Sequence, residues 1–167
     1  MPEITLLAHN IRSTHNVGSI LRTAEGFGVK EIICSGYTPY PKLPDDNRLP
    51  HMVEKLTRQI HKTSLGAETL VSIRYISDIH TWLEINKKTD RKPVYALEQH
   101  TGSKNIRSFR PSQSFALLLG EEVHGIAPDL LEWCDEILEI PMHGKKESFN
   151  VSVATGIALF SLSDQRI

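Results

Sequence analysis

The 167-residue sequence is poor in cysteine, has no long apolar run and carries almost no net charge. Its two cysteines, Cys34 and Cys134, form no CxxC pair, and we expect both to be reduced thiols in the core. No apolar run approaches the roughly 20 residues that cross a bilayer. The first residues also lack the basic and then apolar pattern of a secretory signal. These absences predict a cytoplasmic protein that does not enter a membrane.

Common signatures of nucleotide and metal chemistry are also missing. The segment from Gly26 to Glu31 begins like GxGxxG, but it lacks the last glycine and precedes a predicted strand instead of following one. The segment from Gly144 to Lys146 lacks the glycine spacing and the Ser or Thr of a P-loop. The eight histidines show no zinc-ligand spacing. The sequence therefore predicts no metal site and disfavours nucleotide hydrolysis and simple NAD binding.

The charge balance limits how this chain could bind a nucleic acid. The formal net charge is −1, whereas nucleic-acid-binding domains are usually strongly basic. An RNA site would have to be a local basic patch, or one that two subunits assemble. The best cluster contains His51 and His61 among four cations, Arg48, Lys55, Arg58 and Lys62. The last three cations share one face if a helix forms there, although an ordinary solvated helix face has the same spacing.

Alternating apolar runs and helical periodicities predict an α/β domain with a mostly parallel sheet flanked by helices. Strands are predicted at residues 4–8, 31–34, 70–76, 94–97, 115–119 and 137–140, and helices at residues 16–27, 51–62, 78–87, 128–133 and 150–162. Asn16 is the expected N-cap of the first helix, and Gly28 is its expected stop. Residues 35–50 and 101–113 are predicted loops, the second with a short helical turn. The long loop at residues 35–50 favours a functional role or mobility.

Three segments place glycine, amide and charged residues at predicted strand ends and helix starts. Residues 10–24 read NIRSTHNVGSILRTA, and residues 117–126 read LLLGEEVHGI. The third segment joins residues 140–144, IPMHG, to residues 147–154, ESFNVSVA. In order, spacing and polar residues, these segments closely resemble the three motifs of the SpoU/TrmH branch of the SPOUT methyltransferases. Residues 62–68 also resemble the middle of that family, so the resemblance covers about residues 4 to 162.

This resemblance implies both a fold and an activity. The fold would be a SPOUT α/β knot, in which the C-terminal segment forms a trefoil knot, in a single methyltransferase domain over residues 1–167. The protein would be a minimal member without an extra RNA-binding domain. It would use S-adenosylmethionine to methylate a ribose 2′-hydroxyl of tRNA or rRNA. It would work as a homodimer whose active site is completed at the subunit interface.

The motif match also implies which residues hold the methyl donor. These are Leu119, Gly120, Ile140, Met142 and Phe149. Many family members carry leucine at the position of Phe149, so this chain would have a reshaped adenine pocket. A glycine directly after a buried strand lets a ligand approach the backbone closely, although an ordinary strand-to-loop turn explains Gly120 equally well.

The catalytic residues implied by the match are Arg22, Asn16, Glu121, Ser148 and Asn150. Arg22 is the key residue, and Glu121 would orient it through a charge-assisted hydrogen bond. Because arginine stays protonated in proteins, its guanidinium is better suited to hold an RNA phosphate and stabilise a forming alkoxide than to act as a base. The phosphate is then an alternative proton acceptor. Ser148 or Asn150 would also fit an ordinary N-cap of the last helix.

The predicted RNA contacts are Arg12, Arg48, Lys55 and Arg58. For Arg12, which precedes the first helix, a surface salt bridge is an alternative role. Two other functions stay open at this point. One is a non-catalytic RNA-binding protein that kept the knot, and the other is a SPOUT enzyme that methylates a base nitrogen. The presence of Arg22 in its motif favours the ribose.

Overall fold

The computed structural model describes residues 3–89 and 91–163. Its strands are β1 Ile4–His9, β2 Glu31–Ser35, β3 Ser72–Ile76, β4 Val94–Leu97, β5 Lys104–Asn105, β6 Phe115–Leu119 and β7 Glu136–Glu139. Its α-helices are α1 Thr14–Gly26, α2 Pro50–Ser64, α3 Ile79–Lys88, α4 Pro128–Leu131 and α5 Val151–Ser163. Short 3₁₀ turns occupy Ala67–Thr69 and Ile106–Ser108.

The strands form one sheet in the order β3-β2-β1-β6-β4-β7-β5, and every pair of neighbouring strands is parallel. The predicted α/β class with a mostly parallel sheet is therefore confirmed. Strand β5 falls inside a predicted loop, because a strand of two polar residues has no apolar periodicity to detect. The predicted trefoil knot stays a prediction, since strand order and register do not define how the chain threads.

Helices cover both faces of the sheet, so the central strands are buried on both sides. All five residues of β6 are buried. Leu117 packs in one cluster with Ile20 of α1 and Leu159 of α5. Its neighbour Leu118 packs in another cluster with Leu83 of α3. Successive side chains of a strand point to opposite faces, so the helices that carry sequence motifs, α1 and α5, lie on the same face.

The first helix begins earlier than the sequence predicts. The side-chain oxygen of Ser13 accepts a hydrogen bond from the backbone N–H of Asn16 at 3.3 Å, so Ser13 is the N-cap. The prediction that Asn16 is the cap is wrong, because Asn16 already lies in the first turn. Its side-chain amide is consequently available for contacts outside the helix. At the other end, Gly28 adopts a positive φ of 63°, as expected for a stop.

Cys34 is fully buried, and burial raises the pKa of its thiol to about 12. Cys134 is half-buried, and burial likewise raises its pKa to about 12. Both are free thiols, in agreement with the expectation that they are reduced, although only Cys34 is enclosed in the core. Within the described ranges, no helix is long and apolar enough to cross a membrane.

Close packing of α1 against α2 depends on Gly18. A Cβ atom added there would lie 2.1 Å from Oγ1 of Thr63 and 2.4 Å from the backbone oxygen of Ile60. We expect Gly18→Ala to lower the free energy of unfolding by about 1–3 kcal/mol, because the two helices must separate. Urea unfolding followed by circular dichroism measures this change. Gly26→Ala, in the same helix with nothing within 4 Å of the added atom, is the matched control and should not destabilise. Equal stability of both variants would contradict the expected clash.

Candidate active site

A cavity of about 250 Å³ lies at the carboxyl ends of β6, β4 and β7. Ligands commonly bind at this edge of a parallel sheet, where the loops that follow the strands meet. The loops after these three strands and the start of α5 contribute its walls. Its lining includes Leu97, Glu98, Gln99, Leu119, Gly120, Glu121, Glu122, Ile140, Glu147, Ser148, Phe149 and Val151.

Asn16 joins the three motif segments beside this cavity. Its Nδ2 donates to Oε1 of Glu122 at 2.9 Å. Its Oδ1 accepts from Nδ2 of Asn150 at 3.1 Å. Asn16 belongs to the first segment, Glu122 to the second and Asn150 to the third, and 134 positions separate Asn16 from Asn150. The three motif segments therefore meet within one chain.

Glu122 fixes the loop that precedes α1. Its Oε2 accepts from the backbone N–H of Arg12 at 3.0 Å, and its Oε1 accepts from that of Ser13 at 3.2 Å. Burial acts to raise the pKa of Glu122, but the hydrogen bonds from Arg12, Asn16 and Ser13 outweigh burial and lower this pKa below its ordinary value of 4.5. The carboxylate is thus ionised at neutral pH. The sequence prediction missed Glu122, although an adjacent pair of carboxylates directly after a buried strand was its signal.

Glu121 makes different contacts from those predicted. Its Oε2 accepts from the Tyr37 hydroxyl at 2.6 Å, and its Oε1 accepts from the backbone N–H of His124 at 3.0 Å. The hydrogen bonds from Tyr37 and His124 lower the pKa of Glu121. Arg12 lies 3.7 Å from the same carboxylate. Within residues 3–89 and 91–163, Glu121 forms no ion pair with Arg22, because Tyr37, His124 and Arg12 surround it instead.

Arg22 lies on the exposed face of α1, opposite the buried residues Ile20, Leu21 and Ala24. Its guanidinium makes no hydrogen bond or ion pair in the described part of the chain. The position leaves this charge free to meet RNA or a second subunit. Its catalytic role stays a prediction.

Four of the five residues predicted to hold the methyl donor line the cavity: Leu119, Gly120, Ile140 and Phe149. Met142 is half-buried and is not part of the lining. A Cβ atom on Gly120 would lie 2.6 Å from the carbonyl carbon of Gly125. Position 120 therefore has to be glycine, because Gly125 and Ile126 of the same motif pack directly against it.

Two residues after β4 also form part of the cavity and were not predicted. Oε2 of Glu98 accepts from the backbone N–H of Ile126 at 2.7 Å, which ties β4 to the second motif. Nε2 of Gln99 donates to the backbone oxygen of Ile140 at 2.7 Å, which ties β4 to the third motif. Only their position after a buried strand could have indicated them, because they belong to none of the three motifs.

The composition of the cavity fits S-adenosylmethionine. Four carboxylates line it, those of Glu98, Glu121, Glu122 and Glu147. Such a lining favours a ligand that carries a sulfonium and an ammonium group, because opposite charges attract strongly where water is partly excluded. The apolar side chains of Leu97, Leu119, Ile140, Phe149 and Val151 supply surface for an adenine ring. In the described ranges there is no group of three or more His, Cys, Asp or Glu that could hold a metal ion.

The residues before α5 begin the helix and also lie at the site. Oδ1 of Asn150 accepts from the backbone N–H of Ser152 at 2.9 Å, so Asn150 caps α5 while its amide nitrogen reaches Asn16. Ser148 is exposed at the cavity wall. Both residues therefore stand beside this cavity, which we call the donor cavity. Asn150 also has the alternative role that the sequence offered, as the N-cap of α5.

The predicted RNA-binding cations have different surroundings. Arg12, Lys55 and Arg58 are exposed, and the last two lie on α2 as the spacing predicted. Arg48 is half-buried, and its Nη2 contacts Oδ2 of Asp46 at 2.5 Å. It also donates to the backbone oxygens of Tyr40 and Pro41. Most of the hydrogen-bond donors of Arg48 are therefore used to hold this loop together.

Comparisons with known proteins identify the family of this chain. Residues 3–160 match the model of the SpoU rRNA Methylase family. The chain is 30% identical over 166 residues to a tRNA (guanosine(18)-2′-O)-methyltransferase of Thermus thermophilus, covering 99% of this chain and 77% of that protein. It is 29% identical over 165 residues to a 23S rRNA (guanosine-2′-O-)-methyltransferase of Pasteurella multocida, covering 98% of this chain and 61% of that protein.

Solved structures show the same fold. An rRNA methyltransferase from Sinorhizobium meliloti with bound AdoMet, which is S-adenosylmethionine, superposes with a TM-score of 0.76 at 25% identity. That match covers 95% of this chain and 55% of the other chain. A TrmH/SpoU tRNA-modifying enzyme from A. aeolicus gives a TM-score of 0.75 at 24% identity, over 96% of this chain and 74% of the other.

These relationships confirm the family, the fold class and the methyl donor that the sequence predicted. They also confirm the predicted enzyme class, an RNA 2′-O-methyltransferase. The chain spans about three-fifths of the Pasteurella relative and just over half of the Sinorhizobium one. With its three motifs gathered beside one cavity, the chain belongs to the SpoU rRNA Methylase family.

Proposed function

We propose that this chain, as a single methyltransferase domain over residues 1–167, methylates a ribose 2′-hydroxyl in tRNA or rRNA in the cytoplasm. The observation that carries the proposal is the hydrogen-bonded bridge from Glu122 through Asn16 to Asn150 beside the donor cavity. This bridge holds polar groups from three distant segments at one edge of the sheet. The relatives named above act on guanosines in tRNA and 23S rRNA, which supports this substrate class.

Bound S-adenosylmethionine supplies an activated methyl group on a sulfonium, so the chain's own task is to position the hydroxyl and assist loss of its proton. Asn16, Ser148 and Asn150 offer amide and hydroxyl groups that can hold the ribose or its phosphate. Arg22 stabilises the forming alkoxide and holds the adjacent phosphate. A phosphate oxygen held by Arg22 can accept the proton, since the guanidinium itself stays protonated.

The experiment that tests this function has two stages. Calorimetry first measures binding of S-adenosylmethionine, and labelled methyl transfer into total tRNA and rRNA is then followed. Nuclease digestion of the product distinguishes the alternatives, because a 2′-O-methyl group leaves nuclease-resistant dinucleotides. Methylated RNA without such dinucleotides would indicate base-nitrogen chemistry. RNA binding without affinity for the methyl donor would indicate a non-catalytic knotted protein.

The composition of α5 supports a homodimer. The helix is apolar around most of its circumference, which is typical of a buried helix. In the single chain, however, Val153 is 50% exposed and Phe160 is 75% exposed. These residues are seven positions apart and thus share a face. A second copy that covers this face would enclose it and would double the basic surface offered to RNA.

We expect Phe160→Glu to shift the protein from dimer to monomer, because the charge would have to be buried in the subunit interface. Sedimentation equilibrium measures the mass in solution. Leu70→Glu, at a residue that is 72% exposed and lies outside α5, is the matched control and should remain a dimer. A Phe160→Glu dimer as stable as the wild type would rule out this face as the interface.

RNA contacts are proposed for Arg12, Lys55 and Arg58. The exposed side chain of Arg12 lies 3.7 Å from the carboxylate of Glu121, and such exposed pairs contribute little, so this guanidinium remains available to a phosphate. Lys55 and Arg58 present charge from α2. Arg48 contributes through the shape of the loop at residues 36–49, since its donors are directed to that loop.

A further inference from the structure

A second cavity lies at the same edge of the sheet as the donor cavity. It is an open groove of about 840 Å³ at the carboxyl ends of β1, β2 and β3. Its walls come from the loop before α1, from the loop after β2 and from α2. The donor cavity occupies the ends of β6, β4 and β7. The two cavities are therefore neighbours, because β1 pairs with β6 at the middle of the sheet.

Glu121 links the two cavities. It lines the donor cavity, and its carboxylate contacts two residues that line the groove. The Tyr37 hydroxyl donates to it at 2.6 Å, and Arg12 lies 3.7 Å from it. A strand of RNA whose ribose faces the methyl donor would therefore pass the mouth of this groove.

Three tyrosines line the groove, two with packed rings and one that is exposed. Tyr40 and Tyr75 stack on each other with ring centroids 4.3 Å apart. The Arg48 guanidinium also lies over the Tyr40 ring, 3.6 Å from its centroid. These contacts build a rigid wall. The Tyr37 ring is 53% exposed, while its hydroxyl is held by Glu121, so this ring is presented to solvent in a fixed place.

We propose that this groove binds an unpaired base of the substrate RNA, which stacks on the Tyr37 ring. Arg12 is placed to hold a phosphate of the same strand, and Gln59, Ser13 and Thr14 offer polar groups to a base edge. Proteins that recognise RNA sequences usually read unpaired bases by stacking them on aromatic rings. The inference rests on the proposed RNA 2′-O-methyltransferase function and deepens it, because it specifies a single-stranded or loop nucleotide as the substrate.

The neighbouring helix surface agrees with this occupant. Leu56 and Gln59 of α2 line the groove, whereas Lys55 and Arg58, each next to one of them in sequence, are exposed. A strand that leaves the groove over α2 would meet these two cations. Phosphate contacts of this kind position a strand without reading its sequence, which leaves base recognition to the groove.

The test compares Tyr37→Leu with Tyr37→Phe. The leucine variant loses the aromatic ring, whereas the phenylalanine variant keeps the ring and loses only the hydroxyl bond to Glu121. We expect Tyr37→Leu to weaken binding of single-stranded oligoadenylate about tenfold, because a base loses its stacking partner. Tyr37→Phe should lose much less affinity for this RNA, because it keeps the stacking ring and loses only the hydroxyl contact that holds the ring in place. Fluorescence anisotropy with labelled RNA measures both affinities.

Two controls separate stacking from a folding defect. Affinity for S-adenosylmethionine, and affinity for a ribose-phosphate oligomer of the same length without bases, should be the same in Tyr37→Leu and the wild type. Loss of affinity for the oligomer without bases, or equal losses in the leucine and phenylalanine variants, would overturn the proposal. So would a leucine variant that binds oligoadenylate like the wild type.

The result also distinguishes this inference from the proposed function. A wild-type protein that forms 2′-O-methylated RNA, with a KM for RNA that Tyr37→Leu leaves unchanged, would refute the stacking site alone. A wild-type protein that binds S-adenosylmethionine but methylates no RNA would refute the function, and the inference with it.

Discussion

Arg22→Ala is expected to reduce methyl transfer by a factor of about 10²–10³, the usual cost of removing one group that stabilises charge in a transition state. Affinity for S-adenosylmethionine should stay nearly intact, because Arg22 is exposed on α1 and does not line the donor cavity. Single-turnover transfer of labelled methyl to RNA measures the first effect, and calorimetry measures the second.

Two further variants show whether the guanidinium itself is required. Glu25→Ala changes an exposed side chain three positions along the same helix and should keep full activity, so it controls for damage to α1. Arg22→Lys keeps the charge but loses the planar fork that binds a phosphate with two parallel bonds, so its activity should fall between those of Arg22→Ala and the wild type. A fully active Arg22→Ala variant would remove this residue from the mechanism.

The sheet could be predicted from the sequence because its central strands leave a strong signal. Residues 115–119 and 32–34 are continuous apolar runs, and the structure buries both. Strand β5 left no such signal, since Lys104 and Asn105 are polar and exposed. The predicted start of α1 was too late in the chain because Ser13 and Asn16 are both residue types that cap helices, and only the backbone geometry distinguishes them.

The site could be predicted as a set of segments but less well as a set of contacts. Asn16 and Asn150 meet as expected from their motifs. Neighbouring residues in a turn point in different directions, however, so sequence could not tell which of Glu121 and Glu122 reaches Asn16. Tyr37 left no signal at all, because its place beside Glu121 arises from the fold of a long loop across 84 positions.

Glu122→Gln is the second substitution for which we expect a large loss of activity. Oε1 of Glu122 accepts from Ser13 and Asn16, and Oε2 accepts from Arg12. A glutamine has only one oxygen, so its NH₂ group must face an N–H donor on one side. The loop before α1 would shift, and displacements of about 1 Å in an active site can lower turnover about hundredfold. The matched comparison is Glu121→Gln, which leaves the contacts of Asn16 in place.

Steady-state kinetics on the two variants decides which carboxylate positions Asn16. We expect kcat to fall much further in Glu122→Gln than in Glu121→Gln. Equal kcat values in Glu122→Gln and the wild type would show that the bridge through Asn16 does not support catalysis. A larger loss in Glu121→Gln would instead restore the assignment that the sequence favoured.

The pH dependence of stability provides an independent readout of the Glu122 contacts. Its pKa is lowered on folding from the ordinary 4.5, because the hydrogen bonds to the ionised form outweigh burial. A carboxyl whose pKa falls on folding adds stability above its unfolded pKa, and this stability is lost as the pH decreases through the folded pKa. Wild type and Glu122→Gln should therefore differ in free energy of unfolding at neutral pH and converge as the pH falls below 4.5. Other carboxylates with lowered pKa values, such as Asp46 and Glu68, are common to both proteins and cancel in this difference. A constant difference across the acidic range would mean that the substitution acts through shape and not through the charge of this carboxylate.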